Sequence, residues 1–173
     1  ASFGADRYAS NGDSHIGFWF LQGTVCLNPD GTFRGTHQLG DLLVLSGGTS
    51  DESQCIAALK RWLAAIAKEE FEPWLRTLSA RTGDSFRRMQ VRGQKTCWGS
   101  HSSTGTISIN YCLLFLEPAL VRYLMIHELC HARHMNHSRR FWRAVGLHEP
   151  DYRRLDRELG ESWSKIPTWL CVY

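Results

Sequence analysis

The sequence predicts an α+β fold, with short strands that suggest a small antiparallel sheet and with one apolar helix carrying H-E-x-x-H. Three observations predict it. Residues 106–111 alternate in period two, as a half-buried strand does. Residues 119–134 form one apolar-faced stretch at helical spacing, with His127-Glu128-Leu129-Cys130-His131 inside it. Further upstream, Ile56, Leu59, Leu63, Ile66 and Ala67 recur at three- and four-residue steps, the mark of an amphipathic helix.

A chain of 173 residues can bury one substantial core, with or without a small appendage. We divide it into an N-terminal β-rich region, 1–50, and a domain over 51–173. No apolar run reaches the roughly 18 to 20 residues needed to span a bilayer, so no membrane partner is expected. Residues 1–15 lack a basic stretch followed by an apolar one and do not read as a signal peptide. The chain begins at Ala1 rather than Met, which leaves an earlier leader open. Six cysteines are scattered without a C-x-x-C pair, which argues against a zinc ribbon or a thioredoxin-type motif. A chain of this size needs no disulfides, so reduced thiols and a cytoplasmic location are expected.

Net charge is +3 but uneven. From residue 87 onward there are 13 Lys/Arg against 7 Asp/Glu, so the half with the motif is the basic half. An anionic partner, nucleic acid included, is one reading of that excess. The plainer reading is a solvated helix surface, since the arginines are interleaved with Asp151, Asp156 and Glu158.

In chain order, residues 16–21, 24–27 and 42–45 are strand-like, and Asn28-Pro29-Asp30-Gly31 is a turn signal. They suggest a small antiparallel sheet or a set of hairpins. Thr49-Ser50-Asp51-Glu52-Ser53 suits the start of the first helix, which runs toward Leu78 with a break point at Pro73. Residues 86–91 read as a strand, and with 106–111 they suggest a hairpin with a long connection, 93–105. Pro118 suits a helix start. Ser138 suits the N-cap of a second helix through Phe141, Trp142 and Val145, and Glu149-Pro150-Asp151 opens a third that ends at Gly160.

Residues four apart on a helix share a face, so His127 and His131 can aim at one point and form half of a zinc site. Glu128, beside the first ligand, can act as a base without ligating the metal. The surrounding stretch is strongly apolar. Burying two histidines and a glutamate there without partners would be costly, and a metal resolves that cost. For the third ligand, His134 would sit about 10 Å along the axis from His127 if the helix continued. His137 follows Asn136, a residue that tolerates a left-handed helix end, and a chain turning there swings His137 over the site. His137 is therefore preferred, leaving a fourth position open. The spacing matches metzincins, but their turn glycine would fall at His134 and no methionine turn follows, so that family is excluded. Cys130 faces away from the ligands and reads as a small buried apolar residue.

Beyond the motif, residues 91–163 resemble the YgjP-like family of bacterial metallopeptidase domains, relatives of the SprT-like and WLM zinc metallopeptidases. Arg92-Gly93-Gln94-Lys95-Thr96, Trp98-Gly99-Ser100, Gly105-Thr106-Ile107-Ser108-Ile109-Asn110, His127-Glu128-Leu129-Cys130-His131, Asn136-His137-Ser138, Phe141-Trp142 and Asp151-Tyr152 carry the resemblance. It implies a zincin-like fold, one zinc ion held by His127, His131 and His137, and Glu128 as the base. The family usually has a basic or polar residue at the place of Cys97 and a cysteine at the place of His101.

The expected activity is zinc-dependent peptide hydrolysis on a peptide or protein substrate, with Glu128 moving the proton. Tyr111, Tyr152 and His101 are candidate oxyanion donors. Strand 107–110 is expected to offer an edge to an extended peptide. Two alternatives stay open: a metal-dependent nucleotide or phosphoanhydride hydrolase, and a DNA-associated protease of SprT-like type.

Overall fold

The structure is a computed structural model that describes residues 52–171, with side chains over 53–170, and the backbone of 2–8, 15–21, 26–27, 33–34 and 43–44. The chain divides into two compact units, Ala1–Leu59 and Lys60–Tyr173.

In the first unit, β1 (Ser2–Tyr8) pairs antiparallel with β2 (His15–Leu21) over their full length, Ser2 opposite Leu21 and Tyr8 opposite His15. A separate two-residue pair joins β3 (Cys26–Leu27) to β4 (Phe33–Arg34), and β5 (Leu43–Val44) pairs with β2. Antiparallel pairing is what the sequence led us to expect here. Strand β1 was not foreseen, because its Gly, Asp and Arg residues break the alternation. The turn expected at 28–31 lies outside the described residues, as do 24–25, 42 and 45.

Helix α1 (Glu52–Thr82) runs 31 residues and passes through Pro73 without ending. Leu63, Ala67, Phe71, Leu75 and Leu78 lie on one buried face at steps of three and four. That continuous packing outweighs the loss of one backbone donor at proline. The helix ends at Gly83, whose φ of 72° lets its N–H reach back to Ser79 O at 3.0 Å.

Three strands follow: β6 (Arg88–Arg92), β7 (Gly99–His101) and β8 (Thr106–Asn110), in the order β6-β8-β7. The sheet is mixed, which corrects the expected antiparallel sheet. β6 and β8 run parallel, Arg88 beside Thr106, and the hairpin is β7–β8. A hairpin needs a tight turn, and only 102–105 supplies one: the Gly105 N–H donates to Ser102 O at 2.9 Å, with Gly105 at φ 79°. Parallel strands need a longer crossover, which is the segment 93–98 together with the β7 arm of the hairpin. Being central, β8 is buried at every position. Strand 107–110, expected to offer an edge, is paired on both sides; the edges of this sheet are β6 and β7. Buried Asn110 clamps the crossover, donating from Nδ2 to Gln94 O at 2.6 Å and Cys97 O at 3.0 Å.

A 3₁₀ turn (Tyr111–Phe115) leads into α2 (Pro118–Cys130). Nine of its thirteen residues are buried, as expected for a helix that is apolar almost all round. Around it pack α3 (Arg139–His148) and α4 (Tyr152–Glu161), then a 3₁₀ turn (Ser162–Lys165) and α5 (Thr168–Cys171). Ser138 is the N-cap of α3, accepting from Phe141 N–H at 3.4 Å. Tyr123, Met125, Ile126 and Leu129 of α2 share one core with Ile107 and Ile109 of β8, Leu75 of α1, Phe141 of α3 and Leu155 of α4. No helix among the described residues is long and apolar enough to cross a membrane.

Helix α2 ends earlier than expected, at Cys130 rather than residue 134. His131 N–H bonds Glu128 O at 3.2 Å and Ala132 N–H bonds Leu129 O at 2.9 Å, so the last turn tightens to i→i+3 bonding. Tertiary contacts hold that turn. Arg133 pairs with Asp84, whose side chain is 2% exposed, and donates to Thr82 O at 3.2 Å. Replacing Arg133 by Ala leaves a buried carboxylate without its cation. Urea unfolding of Arg133→Ala is expected to show a loss of about 2–3 kcal/mol, and Arg133→Met is expected to lose nearly as much because the missing element is charge.

Candidate metal centre

Three side chains converge at the C-terminal end of α2. His127 lies on its last turn, His131 is the C-cap residue, and His137 sits on the segment leading into α3. One ring nitrogen from each lies within 4.8 Å of the others, and His127 Nε2 and His137 Nε2 are 3.0 Å apart. Tetrahedral zinc with Zn–N near 2.0–2.1 Å puts ligand nitrogens about 3.3 Å apart, so the His127–His137 spacing fits one ion and the remaining spread has to close by up to about 1.5 Å. Phe141, fully buried, lies against all three rings at centroid distances of 4.8, 4.4 and 4.8 Å. Trp142 stacks on His137 and Tyr152 stacks on Trp142.

The protonation pattern suits a cation. His131 Nδ1 lies 2.9 Å from His134 O; a carbonyl only accepts, so Nδ1 carries the proton and Nε2 keeps its lone pair. Burial, then the neighbouring His131 and His137, lower the His127 pKa to about 3. Burial also lowers that of His131. Two neutral imidazoles with Nε2 atoms 3.0 Å apart set lone pairs against each other unless a proton or a metal ion lies between them.

Glu128 is 4% exposed and its Oε2 has no hydrogen-bond partner among the described residues. Burial raises its pKa to about 8. Strand β7 holds it from two sides. His101 Nδ1 donates to the Glu128 carbonyl at 2.5 Å, and the Gly99 backbone passes so close that a Cβ there would stand 2.9 Å from Glu128 Oε1. We expect Gly99→Ala to displace the carboxylate and lower activity about a hundredfold while metal content stays unchanged; turnover measured beside metal analysis checks this.

His134 lies outside the histidine cluster and contributes its backbone carbonyl. Of the three candidate oxyanion donors, Tyr111 is buried with its hydroxyl against Gly93, where there is no room for a Cβ. Tyr152 is linked to His137 through Trp142 and receives a bond from Arg153 Nε at 3.2 Å. His101 has Nδ1 engaged with Glu128 O. Cys130 is buried, and burial first, then Asp84, pushes its thiol up to about 12. Cys55, Cys97, Cys112 and Cys130 all carry thiols rather than disulfides.

Tyr123, Asp156, Phe141 and Gly99 belong to the site in ways sequence reasoning did not assign. Tyr123 stands four residues before His127, a relation readable on a helical wheel. Its hydroxyl is 3.4 Å from His127 Nδ1 and donates to Asp156 Oδ1 at 2.7 Å. Nothing in the spacing of Asp156 could have announced that contact.

Converging imidazoles backed by a buried carboxylate are the parts of a metalloenzyme centre on an α+β scaffold. The sequence profile of the YgjP-like, metallopeptidase domain family matches residues 24–162, and the chain belongs to that family. At the level of the family it is a metallopeptidase. Among solved structures, the metallopeptidase zymogen abylysin of Pyrococcus abyssi is similar, with 28% identity over 52% of this chain and 92% of that one and a TM-score of 0.47. No curated protein matches.

Proposed function

We propose that the chain is a zinc-dependent peptidase of zincin-like architecture, with one zinc ion held by His127, His131 and His137 and with Glu128 as its base. The observation that carries the reading is the buried Glu128 carboxylate, whose Oε2 has no hydrogen-bond partner among the described residues, beside three converging imidazoles. Three imidazoles suit zinc and leave one coordination position open. When bound, the metal would supply Lewis acidity, lowering the pKa of water and polarising the scissile carbonyl. Glu128 takes the proton from the attacking water and passes it to the leaving amine. Its apolar surroundings favour the protonated acid, which helps the second transfer, while a nearby cation favours the carboxylate needed for the first. Strand β7, at the sheet edge and in contact with Glu128, is where an extended peptide would pair.

We assign this chemistry to a domain over 51–173, with 1–50 as a separate β-rich region, and place the protein in the cytoplasm, a reading supported by its thiols. Nucleotide hydrolysis and a DNA-associated protease have less support. Arg122 and Arg154, part of the basic excess, are paired with Glu149 and Glu158. The test is a purified chain offered unfolded protein and nucleoside triphosphates, before and after chelation and zinc return. Zinc-restored proteolysis is expected; nucleotide turnover without proteolysis would overturn the peptidase reading.

A further inference from the structure

His127 on α2 and His131 at its C-cap have their second ring nitrogens held differently. His131 Nδ1 is fixed by the backbone carbonyl three residues on, so its orientation follows from the local turn. His127 has no such local partner. Its Nδ1 faces the Tyr123 hydroxyl at 3.4 Å, and that hydroxyl is 2.7 Å from Asp156 Oδ1 on α4. The hydroxyl donates to that carboxylate oxygen, so the phenol proton belongs to the bond with Asp156. The phenol oxygen is then left as an acceptor, and the proton it can accept is the one on His127 Nδ1. That choice leaves His127 Nε2 unprotonated, and Nε2 is the atom 3.0 Å from His137 Nε2.

We propose that Tyr123 and Asp156 form a positioning relay that fixes the tautomer and orientation of His127 for the metal, so that docking of α4 on α2 is part of the metal site. The relay rests on the assignment of His127 as a ligand. Tyr123 is fully buried and cannot turn its hydroxyl to solvent, so the direction of its proton depends on Asp156. Asn at position 156 presents an amide that can donate as well as accept. The phenol proton is then free to face His127 Nδ1, which favours the tautomer with hydrogen on Nε2 and blocks the metal.

The test measures zinc affinity by chelator competition and, separately, thermal unfolding of the metal-free chain. Tyr123→Phe keeps the buried ring, and Asp156→Asn alters an exposed position, so both variants are expected to fold. Each is expected to weaken zinc binding about ten- to a hundredfold, and the double variant no more than the worse single, because the two act as one unit. Lowered metal-free stability with zinc affinity unchanged within about twofold would make the pair merely structural and overturn the relay. Additive losses would overturn it as well. His127→Ala separates the two levels. If it loses zinc while Tyr123→Phe and Asp156→Asn do not, the relay alone fails. If it keeps full affinity, the ligand assignment fails and the relay with it.

Discussion

Glu128→Gln is expected to lower peptide hydrolysis by about two to four orders of magnitude while leaving metal content unchanged. The amide keeps the shape of the side chain beside Gly99 and removes its ability to hold a proton in transit. Hydrolysis rates paired with metal analysis check this. Activity within tenfold of wild type would remove Glu128 from the mechanism. The same variant has a second, opposite effect. Burial raises the Glu128 pKa from its ordinary 4.5 to about 8, so ionising it works against the metal-free fold. Its contribution to stability is complete below about pH 4.5 and is lost as pH rises through 8. Metal-free Glu128→Gln does not undergo this loss, so its stability relative to wild type should climb between those limits. His127 pulls the other way, its contribution falling away as pH drops from 6.5 toward about 3, but it is common to both chains and cancels in the difference. Denaturation at pH 5, 6.5 and 8 reads the trend; a gap independent of pH would contradict it.

His137→Ala is expected to weaken zinc binding by more than about a hundredfold, the upper scale for losing only an outer partner of a ligand. His134→Ala is expected to change it little, because His134 offers the site its backbone carbonyl, which alanine retains. The contrast is informative because His137 is exposed, so removing its ring leaves the core intact. Zinc at about 100 times its wild-type Kd should add about 2.7 kcal/mol to wild-type stability, and the His137 variant should gain less than about 0.4 kcal/mol at that concentration. Metal lost on changing His134 but kept on changing His137 would reverse the ligand choice.

The Glu128 and His137 predictions draw on features of different legibility. The three histidines that the structure brings together were readable from spacing, and so was the N-cap at Ser138. The turn that delivers His137 was placed too late. It follows Cys130, where Arg133 reaches Asp84 and His101 reaches Glu128 O, contacts between residues far apart in sequence. The sheet was read as a plain hairpin because alternation reports that a segment is a strand and says nothing of its neighbour. Placing β8 in the centre left β6 and β7 as the edges and brought Gly99 of β7 against Glu128.

The division has one physical cause. A helix repeats every 3.6 residues and a strand every two, so side chains a few positions apart have relations set by local geometry. His127, Glu128 and His131 were legible for that reason, and so were the buried face of α1 and the strand β8. Contacts between distant segments are decided by how whole elements dock, a sum over many weak packing terms that no short window contains. Tyr123 with Asp156, Glu128 with Gly99 and the parallel pairing of β6 with β8 are of that kind. Local periodicity placed His127 and Glu128 on α2 with His131 at its end; docking of β7 and α4 against it decided what surrounds and orients those side chains.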